Sequence, residues 1–175
     1  MDLVLKLDFY ILDLIQNYLR CGFLDAVMVF FTRLGDSGII WIVLTLICLY
    51  TEKYRKLGTA MTFALVIALI FGNELLKELV RRPRPFTYRE IELLIPPPSG
   101  YSFPSGHTMA SFSAATAVCL THKKWGRWAL LLAILISVSR MYLYVHFTTD
   151  VIAGALFGVL FGYLGTALIY RKFNF

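Results

Sequence analysis

Three short segments hold most of the polar residues that could take part in chemistry. They run from Lys77 to Pro85 (KELVRRPRP), from Tyr101 to His107 (YSFPSGH) and from Ser139 to Asp150. Each adjoins a long apolar stretch, and if those stretches alternate across a bilayer, all three segments lie at one membrane face. Charged groups near the centre of a bilayer are costly, so charged residues at the ends of membrane spans are candidates for a functional site.

The cluster is cationic. It combines five groups that can carry positive charge with a single carboxylate: Lys77, Arg84, Arg140, His107, His146 and Asp150. A divalent-metal site would need more carboxylates or a denser set of histidines, so we predict neither a metal nor any other cofactor. Arginine forks and a lysine are instead suited to a phosphate group.

The remaining residues of the cluster predict phosphoryl transfer through histidine. Ser105 and Gly106 follow a proline and open a helix, where backbone N–H groups can point at an anion. His146 and Asp150 are four residues apart, so a helical turn would place the carboxylate where it holds one ring proton and leaves the other nitrogen free to attack. His107 could then give a proton to the departing oxygen.

At these residues the sequence resembles the type 2 phosphatidic acid phosphatase superfamily of membrane lipid phosphatases. The family signatures are Lys, six residues, then Arg-Pro; Pro-Ser-Gly-His; and Ser-Arg, five residues, His, three residues, Asp. Lys77 to Pro85, Pro104 to His107 and Ser139 to Asp150 match them in order and spacing. The resemblance covers residues 35 to 171.

The resemblance implies a metal-independent phosphatase built as a six-helix bundle. It implies that His146 is the nucleophile, Asp150 its orienting partner and His107 the general acid, with a phosphohistidine intermediate that water hydrolyses. It also implies a set of phosphate-binding residues: Lys77, Arg84, Ser105, Gly106 and Arg140.

The composition predicts a membrane protein. Of the 175 residues, 58% are hydrophobic and 16% charged, with a mean hydropathy of +0.68, whereas soluble domains carry about 25% charged residues. Too few polar residues remain to cover a soluble globule, and disorder needs the opposite composition. The net charge of +6 is first expected in loops beside membrane helices, so we predict no nucleic-acid partner.

We predict five membrane spans, because each apolar stretch can reach the roughly 20 residues that a bilayer requires. They cover residues 37–51, 57–73, 108–121, 128–139 and 151–170. The first 33 residues contain an amphipathic helix whose polar stripe is about 100° wide, with Asp8 the charged exception on its apolar side. This helix could lie in the interface or line the bundle.

With the six-helix bundle that the resemblance implies, the predicted fold class is an all-α, integral membrane six-helix bundle with an amphipathic N-terminal helix. Residues 1–33 would form that helix and a short first membrane segment, and residues 34–175 the membrane-embedded phosphatase core. Gly154, Gly158 and Gly162 form a small-residue stripe that favours packing within the chain, with a homodimer seam as the alternative. We expect a monomer or a homodimer.

The basic loops predict the orientation in the cell membrane. Eight cations fall on one side of the alternating spans and mark it as cytoplasmic; they are Lys53, Arg55, Lys56, Lys123, Lys124, Arg127, Arg171 and Lys172. The three chemical segments then face the extracytoplasmic side.

The partners expected from these observations are the lipid bilayer and a lipid phosphate substrate. Undecaprenyl diphosphate is favoured, because a compact site needs to recognise little beyond phosphate and a prenyl tail. Phosphatidylglycerophosphate and phosphatidate are the alternative substrates. A small membrane transporter or a phosphate-binding membrane protein is the alternative without catalysis.

Overall fold

The computed structural model describes residues 3–172, apart from the side chains of residues 73, 74 and 172, and every regular element in that range is helical. In chain order the helices are α1 (Leu3–Tyr18), α2 (Gly22–Gly35), α3 (Ile39–Tyr50), α4 (Arg55–Ala68), α5 (Lys77–Val80), α6 (Gly106–Thr121), α7 (Lys123–Tyr142) and α8 (Thr148–Lys172).

Two pairs of these helices are continuous or nearly so. A 3-10 turn at Asp36–Gly38 joins α2 to α3, and a π-helical stretch at Leu69–Leu76 carries α4 into α5. Counted in this way, the described residues form six helices, and the predicted all-α six-helix bundle is confirmed.

Three helical segments within residues 3–172 are long and apolar enough to cross a bilayer: Gly22–Tyr50, Glu52–Thr87 and Thr148–Arg171. The other two predicted spans are present as α6 and α7. Helix α6 has only 16 residues, and α7 carries charged residues in its first two turns and at Arg140. The chain is a multi-pass membrane protein.

Helix α6 lies at the centre of the bundle, where small side chains allow its neighbours to approach closely. A Cβ added to Gly154 of α8 would lie 2.8 Å from the carbonyl oxygen of Ser105, and one added to Gly158 would lie 2.7 Å from that of Met109. The glycine stripe of α8 is thus covered by α6, as the prediction of packing within the chain required.

The break between α2 and α3 has a local backbone cause. Ser37 and Gly38 both adopt left-handed conformations, with φ values of 53° and 68°, and the helix cannot continue through them. Immediately before the break, a Cβ on Gly35 would lie 2.7 Å from Cδ2 of His107. The absence of a side chain at residue 35 therefore lets the break approach a predicted catalytic residue.

The loops divide between two ends of the bundle. The rings of Tyr54 and His122 lie 5.3 Å apart, which brings two basic loops together at one end. The turn at Asp36–Gly38, the loop of residues 81–105 and the loop of residues 143–147 lie at the other, which we call the site end.

Helix α1 packs across the site end through a face on which Asp8, Phe9 and Leu12 are buried, and polar residues beside that face contact the loops. Nε2 of Gln16 donates to the carbonyl oxygen of Tyr142 at 2.7 Å, and Asp13 accepts from Arg89 at 2.6 Å. The opposite side of α1, with Leu3 and Leu7, is exposed. The predicted division at residues 33 and 34 falls inside α2.

Candidate functional site

A cavity of about 760 Å³ opens at the site end and continues between α3 and α4. Six of the eight predicted site residues line it: Lys77, Arg84, Gly106, His107, Arg140 and His146. Among the described residues that line it, none carries a carboxylate. The cavity is therefore a cationic compartment, which favours an anionic ligand.

Ser105 and Asp150 stand behind the cavity wall, and both are fully buried. The hydroxyl of Ser105 caps α6 by accepting from the N–H of Thr108. It also accepts from the hydroxyl of Thr108 at 3.0 Å. Its N–H donates to the carbonyl oxygen of Asp150 at 3.1 Å. The sequence predicts that the N–H of Ser105 binds phosphate, but in the structure it donates to another part of the protein.

His146 lies in the buried loop between α7 and α8. Its Nε2 is 3.1 Å from an NH1 group of Arg84. Because arginine only donates, Nε2 is the unprotonated nitrogen and Nδ1 carries the proton. Burial lowers the pKa of His146 to about 3. The imidazole is therefore neutral, with its lone pair on the nitrogen that faces the cavity residue Arg84.

The carboxylate of Asp150 is held from three directions. Arg82 donates to Oδ1 at 2.6 Å, while the hydroxyl of Ser102 and the N–H of Phe147 donate to Oδ2 at 2.5 Å and 2.9 Å. Oδ2 lies 3.7 Å from Nδ1 of His146, which is longer than a hydrogen bond. Ser102 stands between them, with its Oγ 3.4 Å from Nδ1.

Arg84 is fixed by carbonyl groups of two loops. Its guanidinium donates to the carbonyl oxygens of Ser99, Gly100 and Val145 at 3.0–3.1 Å. Only 5% of the residue is exposed. The planar fork is thereby held rigid beside His146, a geometry suited to binding phosphate oxygens.

Arg140 is a second buried guanidinium in the cavity wall. One terminal nitrogen donates to Thr32, while Nε has no hydrogen-bond partner among the described residues. A buried donor without a partner is costly, and a ligand oxygen would satisfy it. The carbonyl oxygen of Arg140 also accepts from the N–H of His146 at 3.3 Å, so the arginine and the histidine share one backbone turn.

His107, on the first turn of α6, is paired with an acidic residue from the α2–α3 break. Its Nε2 lies 3.0 Å from Oδ1 of Asp36. Burial and the positive charge of Arg140 lower the pKa of His107 to about 4, while the carboxylate of Asp36 opposes this shift by stabilising the protonated imidazole. In the protonated ring Nε2–H is directed at Asp36, so the proton on Nδ1 is the one that His107 can transfer.

Comparison with known proteins identifies the family. A model of the PAP2 superfamily matches residues 53–174, more than two thirds of the chain. The chain belongs to the PAP2 superfamily.

Named relatives and solved structures agree with this PAP2 assignment. The chain is 36% identical over 155 residues to an undecaprenyl-diphosphatase of Sulfolobus acidocaldarius, covering 87% of this chain and 74% of the relative. It superposes on the crystal structure of a PAP2-type phosphatidylglycerolphosphate phosphatase from Bacillus subtilis with a TM-score of 0.80 and 27% identity, covering 100% of this chain and 90% of the other. For Aquifex aeolicus LpxE the TM-score is 0.72 and the identity 31%, with coverages of 94% and 95%.

Four residues that contact the site were not among the predicted site residues: Asp8, Asp36, Arg82 and Ser102. Two of them carried a usable signal. Asp8 is the one charge on the apolar side of an amphipathic helix, and Ser102 lies within the segment that contains His107. From the sequence, Asp36 is more typical of a helix cap and Arg82 is as typical of an interfacial anchor as of a site residue, because their partners are distant in sequence.

Proposed function

We propose that this PAP2 protein removes phosphate from a membrane lipid through a phosphohistidine intermediate. The supporting observation is the cavity itself, which joins a cationic pocket to an apolar groove. We assign His146 as nucleophile, Asp150 as its orienting carboxylate and His107 as general acid. The proposed phosphate ligands are Lys77, Arg84, Gly106 and Arg140, which line the cavity.

In the first step the lone pair on Nε2 of His146 attacks phosphorus, and the bond from phosphorus to the leaving oxygen breaks. The leaving oxygen takes a proton from His107, so the lipid departs as an alcohol or, from a diphosphate, as a monophosphate. Arg84 and Arg140 stabilise the charge that spreads over the other phosphate oxygens. Arg84 must exchange its contact with Nε2 for contacts with the substrate.

In the second step water attacks the phosphohistidine. His107, now neutral, accepts a proton from that water, and the bond between phosphorus and Nε2 breaks. Inorganic phosphate leaves, and both histidines return to their starting protonation states. No co-reactant other than water is required.

The shape of the groove supports lateral entry from the bilayer. Its apolar walls come from α3 and α4, and several of the lining residues also face outward, among them Ile42, Leu46, Val66 and Leu69. At the opposite end of the bundle the two helices touch, where a Cβ on Gly58 would lie 2.6 Å from the backbone nitrogen of Leu49. The helices therefore separate toward the site end, leaving space for an acyl or prenyl chain.

Undecaprenyl diphosphate is the substrate that we favour. Apart from the cations and histidines, the described lining residues with polar side chains are hydroxyl residues: Ser37, Thr45, Thr62 and Ser99. Such a site has few groups to read a headgroup beyond its phosphate. Phosphatidylglycerophosphate and phosphatidate remain the alternatives, since a relative and a structural neighbour are named for the former.

The direct test is phosphate release by the purified protein in detergent from undecaprenyl diphosphate, phosphatidylglycerophosphate and phosphatidate. We expect turnover of at least one of them, fastest with the prenyl diphosphate, and the same rate in the presence of a chelator. Inactivity on all three would contradict the proposed function. Loss of activity with chelator and its return with a divalent ion would contradict the mechanism.

A matched pair of α3 variants in the same assay tests entry through the groove. Leu46 lines the cavity and Ile47 does not, although they are 58% and 56% exposed. Leu46→Trp should raise KM for the long-chain lipid by about tenfold, because the added volume fills the groove. Ile47→Trp should leave KM unchanged. Equal effects of the two substitutions would argue against this path.

We also infer that the site end faces the extracytoplasmic side. The support is the arrangement of charge, since the basic loops lie together at the opposite end and positive loops favour the cytoplasm. At the site end, Arg82 forms ion pairs with two carboxylates and Arg84 donates to a backbone carbonyl oxygen.

Cysteine labelling of intact cells tests this orientation. In a background with Cys21→Ser, we expect Glu90→Cys in the site-end loop to react with an impermeant thiol reagent. Lys53→Cys at the opposite end, also exposed, should react only after lysis. The reverse pattern would place the site in the cytoplasm.

A further inference from the structure

Asp8 of α1 is a buried carboxylate beside the catalytic loop. Only 1% of it is exposed, although it lies on a helix that packs across the bundle surface. Its Oδ2 is 2.7 Å from NH2 of Arg82, and the same guanidinium reaches Oδ1 of Asp150 through NH1 at 2.6 Å. One arginine therefore bridges the N-terminal helix and the carboxylate next to His146.

Asp8 also completes the N-terminus of α8. Its Oδ1 accepts from the N–H of Thr149 at 2.9 Å, and its Oδ2 from the hydroxyl of Thr149 at 2.6 Å. Asp150 accepts from the N–H of Phe147 at the preceding turn. The first turn of a helix leaves N–H groups that need acceptors. Here one acceptor is the carboxylate of Asp150, and the other is the carboxylate of Asp8 on α1.

Aromatic packing holds the bridge in place. The guanidinium of Arg82 stacks over the ring of Phe147 at 4.1 Å, and Phe9, the neighbour of Asp8, meets the same ring edge-on at 5.2 Å. Phe147 is fully buried and directly follows His146. A guanidinium that binds two carboxylates and stacks on an aromatic ring has a single low-energy position.

We propose that Asp8 is a positioning residue for the hydrolysis reaction: through Arg82 it fixes the carboxylate that orients His146. The proposal rests on the function proposed above. It makes α1 a working part of the enzyme rather than only a membrane anchor, although the residues assigned to the reaction all lie within 34–175.

The test compares Asp8→Asn with Asp13→Asn in the full-length protein. Asp13 makes an analogous ion pair from α1 to a site-end loop, through Arg89, but does not contact the residues that hold Asp150. We expect Asp8→Asn to lower kcat by about tenfold to a hundredfold, the usual loss when an orienting partner is removed. KM should stay within about threefold, because Asp8 does not line the cavity. Asp13→Asn should leave kcat unchanged.

A double variant separates positioning from simple anchoring of the helix. If Asp8 acts through Arg82, then Asp8→Asn should lower kcat no further in an Arg82→Gln background. Independent, multiplying effects on kcat would overturn the proposal, as would equal kcat for Asp8→Asn and the wild type, or an equal fall in Asp13→Asn.

Folding is monitored by thermal unfolding in detergent, and kcat is expressed per folded molecule. If Asp8→Asn does not fold, Arg82→Lys decides the question, because lysine keeps the charge but cannot bridge two carboxylates with a planar fork. Its kcat should then fall by the same factor, and an unchanged kcat would overturn the proposal. Inactivity of the wild-type protein would instead contradict the proposed function and is distinguishable from these results.

Discussion

His146→Gln is expected to abolish turnover of every lipid phosphate, with a loss of about 10⁴-fold or more, as for removal of a nucleophile in other enzymes. Glutamine retains hydrogen-bonding groups but offers no nitrogen lone pair that can attack phosphorus. The neutral, buried imidazole beside Arg84 carries the lone pair that the proposed mechanism uses to form the covalent intermediate. The measurement is steady-state phosphate release by the purified variant.

A histidine at the opposite end provides the control for this substitution. His122→Gln, beside Tyr54, should retain wild-type activity. Because burial lowers the pKa of His146 to about 3, its protonation should begin to limit the rate only as the pH falls toward that value. A loss of activity between pH 7 and 5 must then come from another group. Residual activity of the variant above about 1% of wild type would argue against the nucleophile assignment.

His107→Gln is expected to slow hydrolysis in proportion to the basicity of the leaving oxygen. A general acid contributes about 10²–10⁴-fold, and it matters most when the departing group is a poor one. We therefore expect a loss of about 10³-fold with phosphatidate, whose leaving group is an alkoxide, and a smaller loss with undecaprenyl diphosphate, whose leaving group is a phosphate monoester.

The ratio of the two losses distinguishes acid catalysis from phosphate binding. If His107 only bound the phosphate, its replacement would slow both substrates equally. Asp36→Asn should shift the same ratio in the same direction by a smaller factor, because Asp36 contacts Nε2 of His107 at 3.0 Å. An unchanged ratio in both variants would remove the general acid from the mechanism.

The sequence was sufficient to predict which residues gather in the cavity, because the signatures begin and end at helix termini of the same membrane face. Lys77, Arg84, His107, Arg140 and His146 accordingly line one cavity. The apolar stretches predicted five spans, and the count of six helices was implied by the resemblance. These features depend on local spacing, which a linear sequence displays directly.

Contacts between distant segments could not be predicted in this way. Asp8 and Arg82 are 74 residues apart, and nothing in the spacing of either segment indicates the other. Asp36 resembled an ordinary cap until the break between α2 and α3 brought it to His107. Ser105 resembled an anion ligand, but the structure uses its N–H to join α6 to α8 and its hydroxyl to cap α6.

The hydrogen bonds from Arg84 to the carbonyl oxygens of Ser99 and Gly100 affect how such enzymes can change their substrate range. Arg84 immediately precedes the segment of residues 85–98, and Ser99 and Gly100 immediately follow it. The hydrogen bonds between Arg84 and these two carbonyl oxygens therefore hold both ends of the segment together, whatever its length. Lengthening a loop costs little entropy, about 0.6 kcal/mol for each doubling. Insertions there can add contacts to new headgroups while the phosphate pocket keeps its geometry, which makes this segment a natural place for substrate range to evolve.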